Sequence, residues 1–497
     1  MVNISSLFID SKTDFLSSLQ MFFQNFYQIT DIKTQECLNY LDDRLLQKFE
    51  NNLKFHFEYP YVDKVYRDTF YNYYSSKNND YDRNSIKVSI FNGSFDSSNI
   101  YDDSEILQNY LGFFTIRPTF PNILGRNLIN PFAFKNVNDI LICNSNYSVT
   151  FNSLKINIDA FPHSSQDGEA MTCAETTIWS LIEYFSNKYN EYRPLLPNDI
   201  HEILKELTVE RQIPSQGLAA HQISFALKKV GFGVKVYNKN AYGLEFDKIL
   251  KTYINSGIPM VAIVNNNSGI CHAFNIIGKV NPSEADIFAV VSEDVRKDGS
   301  LNVYDLIDAD KKIVIIDDNF SPYQIGEITS PCNYYNNNEW NNCVITDIIV
   351  PLYTKIYMDA GQAKKISINF IKLCSFAYLA REIYIKTFLC SSRSYKNYVF
   401  ALSDMDIELK KILLNFSMPK FIWITEVFDK TRVTEGKVEG LLIIDATEPN
   451  KANVIGAIFE NKLIVSGLKT EGVYDLNTIG ITTNIEFTSY NKNLTTF

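Results

Sequence analysis

The sequence predicts an α+β chain in three parts, and three observations carry that reading. Residues 1 to about 80 repeat apolar side chains at helical spacing, and residues 85 to 160 shift to strand character. Residues 156–357 then alternate short helices with short apolar strands, and a further α/β unit follows from 358 to 497. The predicted domains are therefore 1–155, helical then β-rich; 156–357, a central domain; and 358–497, an accessory unit. A chain of 497 residues with 45% hydrophobic composition has material for ordinary cores.

The first helix is expected over Asp14 to Tyr27, with Phe15, Leu16, Leu19, Phe22, Phe23 and Phe26 on its stripe. Thr34 to Leu53 repeats the pattern, and Tyr59 to Tyr74 is a third candidate. Strands are expected at Ile86–Phe91, Tyr110–Ile116, Ile140–Phe151 and Leu154–Ile158, punctuated by Asn, Gly, Pro and Ser. Between them, Arg117 to Arg126 reads as a turn-rich structural loop.

A helix should start at Cys173 and run to about Tyr189. Thr172 offers an N-cap with Glu175 three residues on, and Ala174, Ile178, Leu181, Ile182 and Phe185 form a buried face. Helices from Leu196 and from Ser215 follow, the second closed by Gly231. Phe232–Tyr237 is a strand, Leu244–Ser256 a helix closed by Gly257, and Ile258–Val264 and Cys271–Gly278 are strands around an Asn-rich turn. Residues 281–312 read as an insertion with a helix near Ser283–Val295, placed to serve as a substrate lid. Lys312–Ile316 and Val344–Leu352 are strands. Ala360 to Thr387 reads as one long helix and Met405–Leu414 as a short one. Strands follow at Phe421–Val427, Val438–Ile444 and Val454–Val465, the last folding back as a hairpin. The polar tail after 470 is expected to be loose.

Charge and cysteine usage exclude several functions. The net charge is -10 and no lysine or arginine block occurs, so no nucleic-acid partner is expected. The first ten residues lack the basic start and apolar run of a signal peptide, and no window approaches about 18 uninterrupted apolar residues, so no membrane partner is expected. Eight scattered cysteines without CxxC pairs suit a reducing cytoplasm. With five histidines and no metal-type spacing, neither a metal nor another cofactor is expected.

The chemistry-bearing residues stand at the ends of the central elements. Cys173 opens a helix, where free N–H groups and the dipole favour an anion, the form in which a cysteine attacks. His272 opens a strand after a glycine-containing turn, and Asp317 closes one. A thiol nucleophile needs a histidine beside it to hold the proton and pass it to the leaving group, and an acid to orient that histidine. Gln166, before the cysteine, offers an amide to a tetrahedral oxyanion together with the Cys173 N–H. Asp318 and Asn319 are alternative orienters beside Asp317. Among the other candidates, His163, three residues before Gln166, could line the site but reads as a solvated loop residue, His221 as structural and Trp179 as packing.

This order resembles the papain-like cysteine peptidases, in which a glutamine shortly precedes a cysteine that begins the central helix. It is similar in particular to bacterial double-glycine leader peptidase-like domains. The residues that carry the likeness are Gln166 and Cys173, then Gln222–Phe232 ending in Val-Gly-Phe, then Gly257-Ile-Pro-Met-Val261, then His272-Ala-Phe-Asn-Ile-Ile-Gly278 and a strand ending in an acid. It covers residues 160 to 355. Six residues separate Gln166 from Cys173, one more than in papain, and Asp317-Asp318-Asn319 stands where family members often have an acid followed by proline.

The resemblance implies a papain-like core of helix bundle and antiparallel sheet. It implies a peptide or isopeptide hydrolase acting on a protein or peptide through Cys173, His272 and Asp317. The same triad would serve a transglutaminase-like acyl transfer or a deamidation, and an inactive papain-like interaction module would keep the fold without the reaction.

Overall fold

The computed structural model describes residues 5–79, 81–93, 104–135, 137–207, 212–215, 217–266, 268–294, 301–374, 381–449, 454–459, 462–465, 472–479, 481 and 485–497. The chain is mixed α+β, built on three sizeable sheets.

The first sheet is antiparallel and five-stranded, in the order Ser5–Ile9, Leu53–Tyr61, Ser85–Asn92, Tyr110–Ile116, Leu124–Ile129. Two of these strands replace expected helix. Leu53, Phe55 and Phe57 alternate toward one face, a period-two pattern that falls where the second expected helix ends and the third begins. The third expected helix contracts to Lys64–Asn72, started by Asp63, whose carboxylate accepts the Tyr66 N–H at 2.9 Å. Helices Lys12–Phe22 and Asp31–Arg44 cover one face, where Phe15, Leu19, Cys37 and Leu41 meet Phe55, Val88 and Phe114. The hairpin Ser145–Phe151 and Leu154–Ala160 covers the other with Tyr147, Phe151 and Ile158.

The second sheet runs Gln324–Glu327, Lys312–Ile316, Cys271–Val280, Met260–Asn265, Val344–Tyr353, Phe232–Asn238, all antiparallel neighbours. Ile140–Ile142 joins the far end of Cys271–Val280, and Thr495–Thr496 pairs with it in turn. Helix Cys173–Lys188 packs on this sheet. Ile178, Trp179 and Ile182 share a core with Val261, Ala273 and Ile277, and that core continues into the five-stranded sheet. Helix Glu245–Asn255 lies on the opposite side, between this sheet and the third.

The third sheet holds Glu293–Asp294, Leu301–Asp305, Arg381–Ser391, Phe421–Asp429, Gly440–Asp445, Val454–Phe459, Lys462–Val465 and Gly472–Asp475. Three expectations change here. The long helix ends at Leu373, and residues 381–391 are strand, because Ile383, Ile385 and Leu389 face one core while Tyr384, Phe388 and Cys390 face another. A strand with apolar side chains on both faces lacks the period-two alternation that would reveal it. Residues 375–380 of the expected helix lie outside the described residues. The described part of the 281–312 insertion joins the third sheet. Its helix is short, Glu284–Phe288, and Leu301–Asp305 pairs in parallel with Arg381–Ser391. Among the described residues of the tail, Phe487 and Tyr490 are buried, and Asn493 donates to the carbonyls of Asn255 and Leu389, both at 3.1 Å, so this part is packed rather than loose. No helix among the described residues is long and apolar enough to cross a membrane.

Candidate active site

Cys173 is the first residue of its helix and half-buried. Thr172 is the N-cap residue, but the expected capping box does not form. The Thr172 hydroxyl donates to the Glu175 carboxylate, which also accepts from Ser215 Oγ at 2.5 Å. Before the cap, the Asp167 carboxylate accepts the N–H groups of Glu169, Ala170 and Met171 at 2.8–2.9 Å and folds the loop between Gln166 and Cys173 into a fixed turn. The next turn of the helix is locked to the histidine strand. Thr177 Oγ1 donates to the Ala273 carbonyl at 3.1 Å, and Asn275 Nδ2 donates to the Thr177 carbonyl at 2.9 Å and to Ser180 Oγ at 2.7 Å. These bonds set Cys173 against His272.

His272 lies opposite Val264, with its side chain buried while neighbouring Cys271 is exposed, as alternation on a strand requires. Its Nε2 is 2.9 Å from Asp317 Oδ1. That nitrogen is committed to the acid, which leaves Nδ1 as the other ring nitrogen, and Cys173 is among the groups that raise the imidazole pKa. Burial opposes a charge on His272. The adjacent Asp317 carboxylate, the bond to it and the Cys173 contact outweigh burial, so the histidine pKa lies well above its ordinary value.

Asp317 follows strand Lys312–Ile316, whose Ile316 pairs with Asn275 of the histidine strand. It is fully buried. Burial alone would raise its pKa, but His272, the Asn319 N–H on Oδ1 at 2.9 Å and a phenol on Oδ2 hold it below the usual carboxylate range. Oδ2 accepts two phenol hydroxyls, from Tyr334 at 2.7 Å and Tyr335 at 2.8 Å. Asp318 sits 3.6 Å from His272 Nε2, and neither of its carboxylate oxygens has a hydrogen-bond partner. Burial pushes its pKa up; His272 opposes that and the Asp317 charge adds to it. Of the three orienting candidates, Asp317 holds the imidazole.

Asn319 has another task. Its Oδ1 accepts from Gln166 Nε2 at 2.6 Å, and its Nδ2 donates to Tyr335 Oη at 3.1 Å. Gln166 is thus tied to the acid loop, with the second hydrogen of its amide left for another acceptor. His272, Asp317 and Asp318 bring one potential ligand atom each within 4.8 Å of one another. Both oxygens of Asp317 already accept hydrogen bonds, which makes the trio a histidine-orienting group rather than a chelating one.

Four contributors were not legible as site residues. His163, expected to be solvated, is fully buried beneath the acid loop. Its Nε2–H donates to the Asp317 carbonyl at 3.0 Å, and its Nδ1 accepts from Asn127 Nδ2 at 2.7 Å. Burial lowers its pKa to about 4, so it is the neutral tautomer that both bonds require. Tyr334, Tyr335 and Trp340 come from an Asn-rich loop that reads as surface. The Trp340 ring meets the His272 ring edge to face at 5.5 Å and stacks on Tyr335 at 3.8 Å. The one local signal was a tryptophan, one of three in the chain, between two cysteines shortly after the acid. Trp179 is buried in the core, and His221 is on the helix Ala220–Val230 and exposed. Arg117 and Arg126 make internal bonds, to the Ser165 carbonyl at 2.8 Å and to Glu183 at 3.2 Å.

Neither a protein-family model nor a curated protein matches the chain. The arrangement of side chains therefore carries the functional argument.

Proposed function

We propose that the chain is a thiol hydrolase with a papain-like core that cleaves a peptide or isopeptide bond in a protein or peptide. The observation that carries this reading is the Nε2 bond of His272 to Asp317 at 2.9 Å, with Cys173 at a helix N-terminus near enough to the same imidazole to raise its pKa. The pieces come from three elements, 99 and 45 residues apart, and meet in the order a thiol mechanism requires.

In this mechanism Cys173 Sγ, as thiolate, attacks the carbonyl carbon. The N–H of Cys173, at the first helical position, has no acceptor within the helix and is free for the oxyanion. The remaining Gln166 amide hydrogen is the second donor. His272 Nδ1 gives its proton to the leaving amine, and the acyl group stays on sulfur. Water then attacks the thioester with Nδ1 as base, which regenerates thiol and imidazole. Asp317 keeps Nδ1 aimed at sulfur and stabilises the imidazolium. A reducing, cytoplasmic setting suits eight free thiols.

Iodoacetamide labelling at neutral pH, followed by peptide mass analysis, tests the reading. Cys173 is expected to react at least about tenfold faster than Cys271, which is the more exposed thiol but lacks the helix terminus and the orienting acid. Cleavage of any substrate found by profiling should disappear in Cys173→Ala. Equal labelling of the two cysteines, or cleavage that survives the substitution, rules the proposal out.

A further inference from the structure

The pair of phenols on Asp317 is a feature that a cysteine, histidine and acid do not by themselves require. Tyr334 and Tyr335 lie in the turn Asn333–Tyr335, between strands Gln324–Glu327 and Val344–Tyr353. Both hydroxyls converge on Oδ2, the oxygen that does not face His272. Tyr335 also accepts from Asn319, which holds Gln166. One tyrosine thus links the acid that orients the histidine to the glutamine proposed for the oxyanion. Its ring is stacked on Trp340, whose own ring abuts His272.

A buried carboxylate needs this support. Asp318 lies beside Asp317 with two unpartnered oxygens and competes for the same imidazole. Charge-assisted hydrogen bonds to one oxygen fix the rotation of a carboxylate and favour its ionised form.

We infer that Tyr334 and Tyr335 are positioning residues for the proposed cysteine–histidine pair: their hydroxyls hold Asp317 ionised with Oδ1 turned to His272, and Tyr335 extends that placement through Asn319 to Gln166. The inference rests on the proposed thiol mechanism. The titratable groups that face Asp317 are His272 from its strand, Asp318 from the same loop, Tyr334, Tyr335 and Cys332 from the 332–343 segment, and His163 from the loop beneath. Of these, the two tyrosines are the hydroxyl donors to Oδ2.

The test is the rate of Cys173 carboxamidomethylation by iodoacetamide from pH 4.5 to 8.5 in wild type, Tyr334→Phe, Tyr335→Phe and the double variant. Phenylalanine keeps the rings and the stack on Trp340. Without the hydroxyls Asp317 takes a proton at higher pH, and His272 then loses its orienting charge on the acid side. The double variant should therefore label at least about fivefold more slowly than wild type at pH 4.5 and within about twofold at pH 8. Each single variant should lose about twofold at pH 4.5, and the singles decide the matter if the double does not fold. A uniform loss at every pH, which a purely structural role would give, overturns the inference, and so does an unchanged profile. If wild-type Cys173 itself labels no faster than Cys271, the thiol mechanism fails first and the inference falls with it. Fast wild-type labelling with flat variants removes the tyrosine role alone.

Discussion

Two buried carboxylates, one beside the central sheet and one in the third, show what separates the proposed reactive site from a structural ion pair. Asp317 and Glu426 are both fully buried, and each accepts from hydroxyl and backbone donors. Burial dominates at Glu426, whose cation Lys386 stands 3.8 Å away and donates instead to Ser489 Oγ and the Tyr490 carbonyl; its pKa is raised. At Asp317 a histidine at 2.9 Å and two phenols overcome the same burial, and its pKa is lowered. Each acid also has a cysteine in its surroundings. Burial, then the Glu426 charge, pushes the Cys390 thiol far up, so it stays protonated and inert. Cys173 is half-exposed at a helix start beside an imidazole. A buried acid marks chemistry only where its partner can pass a proton to a reachable nucleophile.

The strongest way to break that comparison is Asp317→Asn. Loss of the acid should cut turnover on the order of 10³-fold and bring Cys173 labelling down to about the rate of Cys271. It should also move the alkaline limb of the pH profile to lower pH, since the raised His272 pKa depends on Asp317. Glu426→Gln is the matched control and should leave labelling within about twofold, because the two sites share no partner. Similar losses in both variants would dissolve the distinction.

Acidification acts with opposite signs at His163 and at Glu426. The pKa of His163 is about 4 in the folded chain and near 6.5 when unfolded. The unfolded chain therefore binds the extra proton first. Stability is full above about pH 6.5 and falls as pH drops toward about 4, by about 3 kcal/mol for a shift of that size. Glu426 has the opposite sign: its raised pKa means that its burial becomes less costly as pH falls. Amide exchange at pH 5 against pH 7 should show protection lost around Asn127 and His163 before strand Phe421–Asp429. The reverse order would contradict the assignment of His163 as a buried neutral prop of the acid loop.

The smallest effect is expected at the joint between the regions. Gly257 has φ +66, and a Cβ there would lie 2.3 Å from the Asn493 carbonyl oxygen. Asn493 in turn bonds the helix Glu245–Asn255 and strand Arg381–Ser391 together through its two donated hydrogen bonds. Gly257→Ala should cost about 1–3 kcal/mol in urea unfolding while Cys173 labelling changes by less than about twofold. A large loss of labelling would mean that the third sheet positions the site, against the separation drawn above.

Much of the central region was legible because its signals are local. A cysteine after a cap residue, a histidine after a glycine turn and an acid at a strand end are each written within about ten residues. The N-terminal strands were less so: Phe55 and Phe57 alternate toward one strand face in the short gap between two expected helices. The segment 381–391 misled for a related reason: apolar side chains face a core on both sides of the strand, so they show no period-two alternation.

By itself, the sequence determined that Cys173 begins a helix, that His272 opens a strand and that an acid closes the strand at 316. Capping preference, glycine turns and side-chain periodicity act over one or two turns of chain. Only the tertiary structure decided that Asp317 rather than Asp318 or Asn319 holds His272, that Gln166 is anchored on Asn319, and that His163, Tyr334, Tyr335 and Trp340 surround them. Those choices depend on burial and hydrogen-bond partners up to 154 residues apart, and no local propensity encodes them.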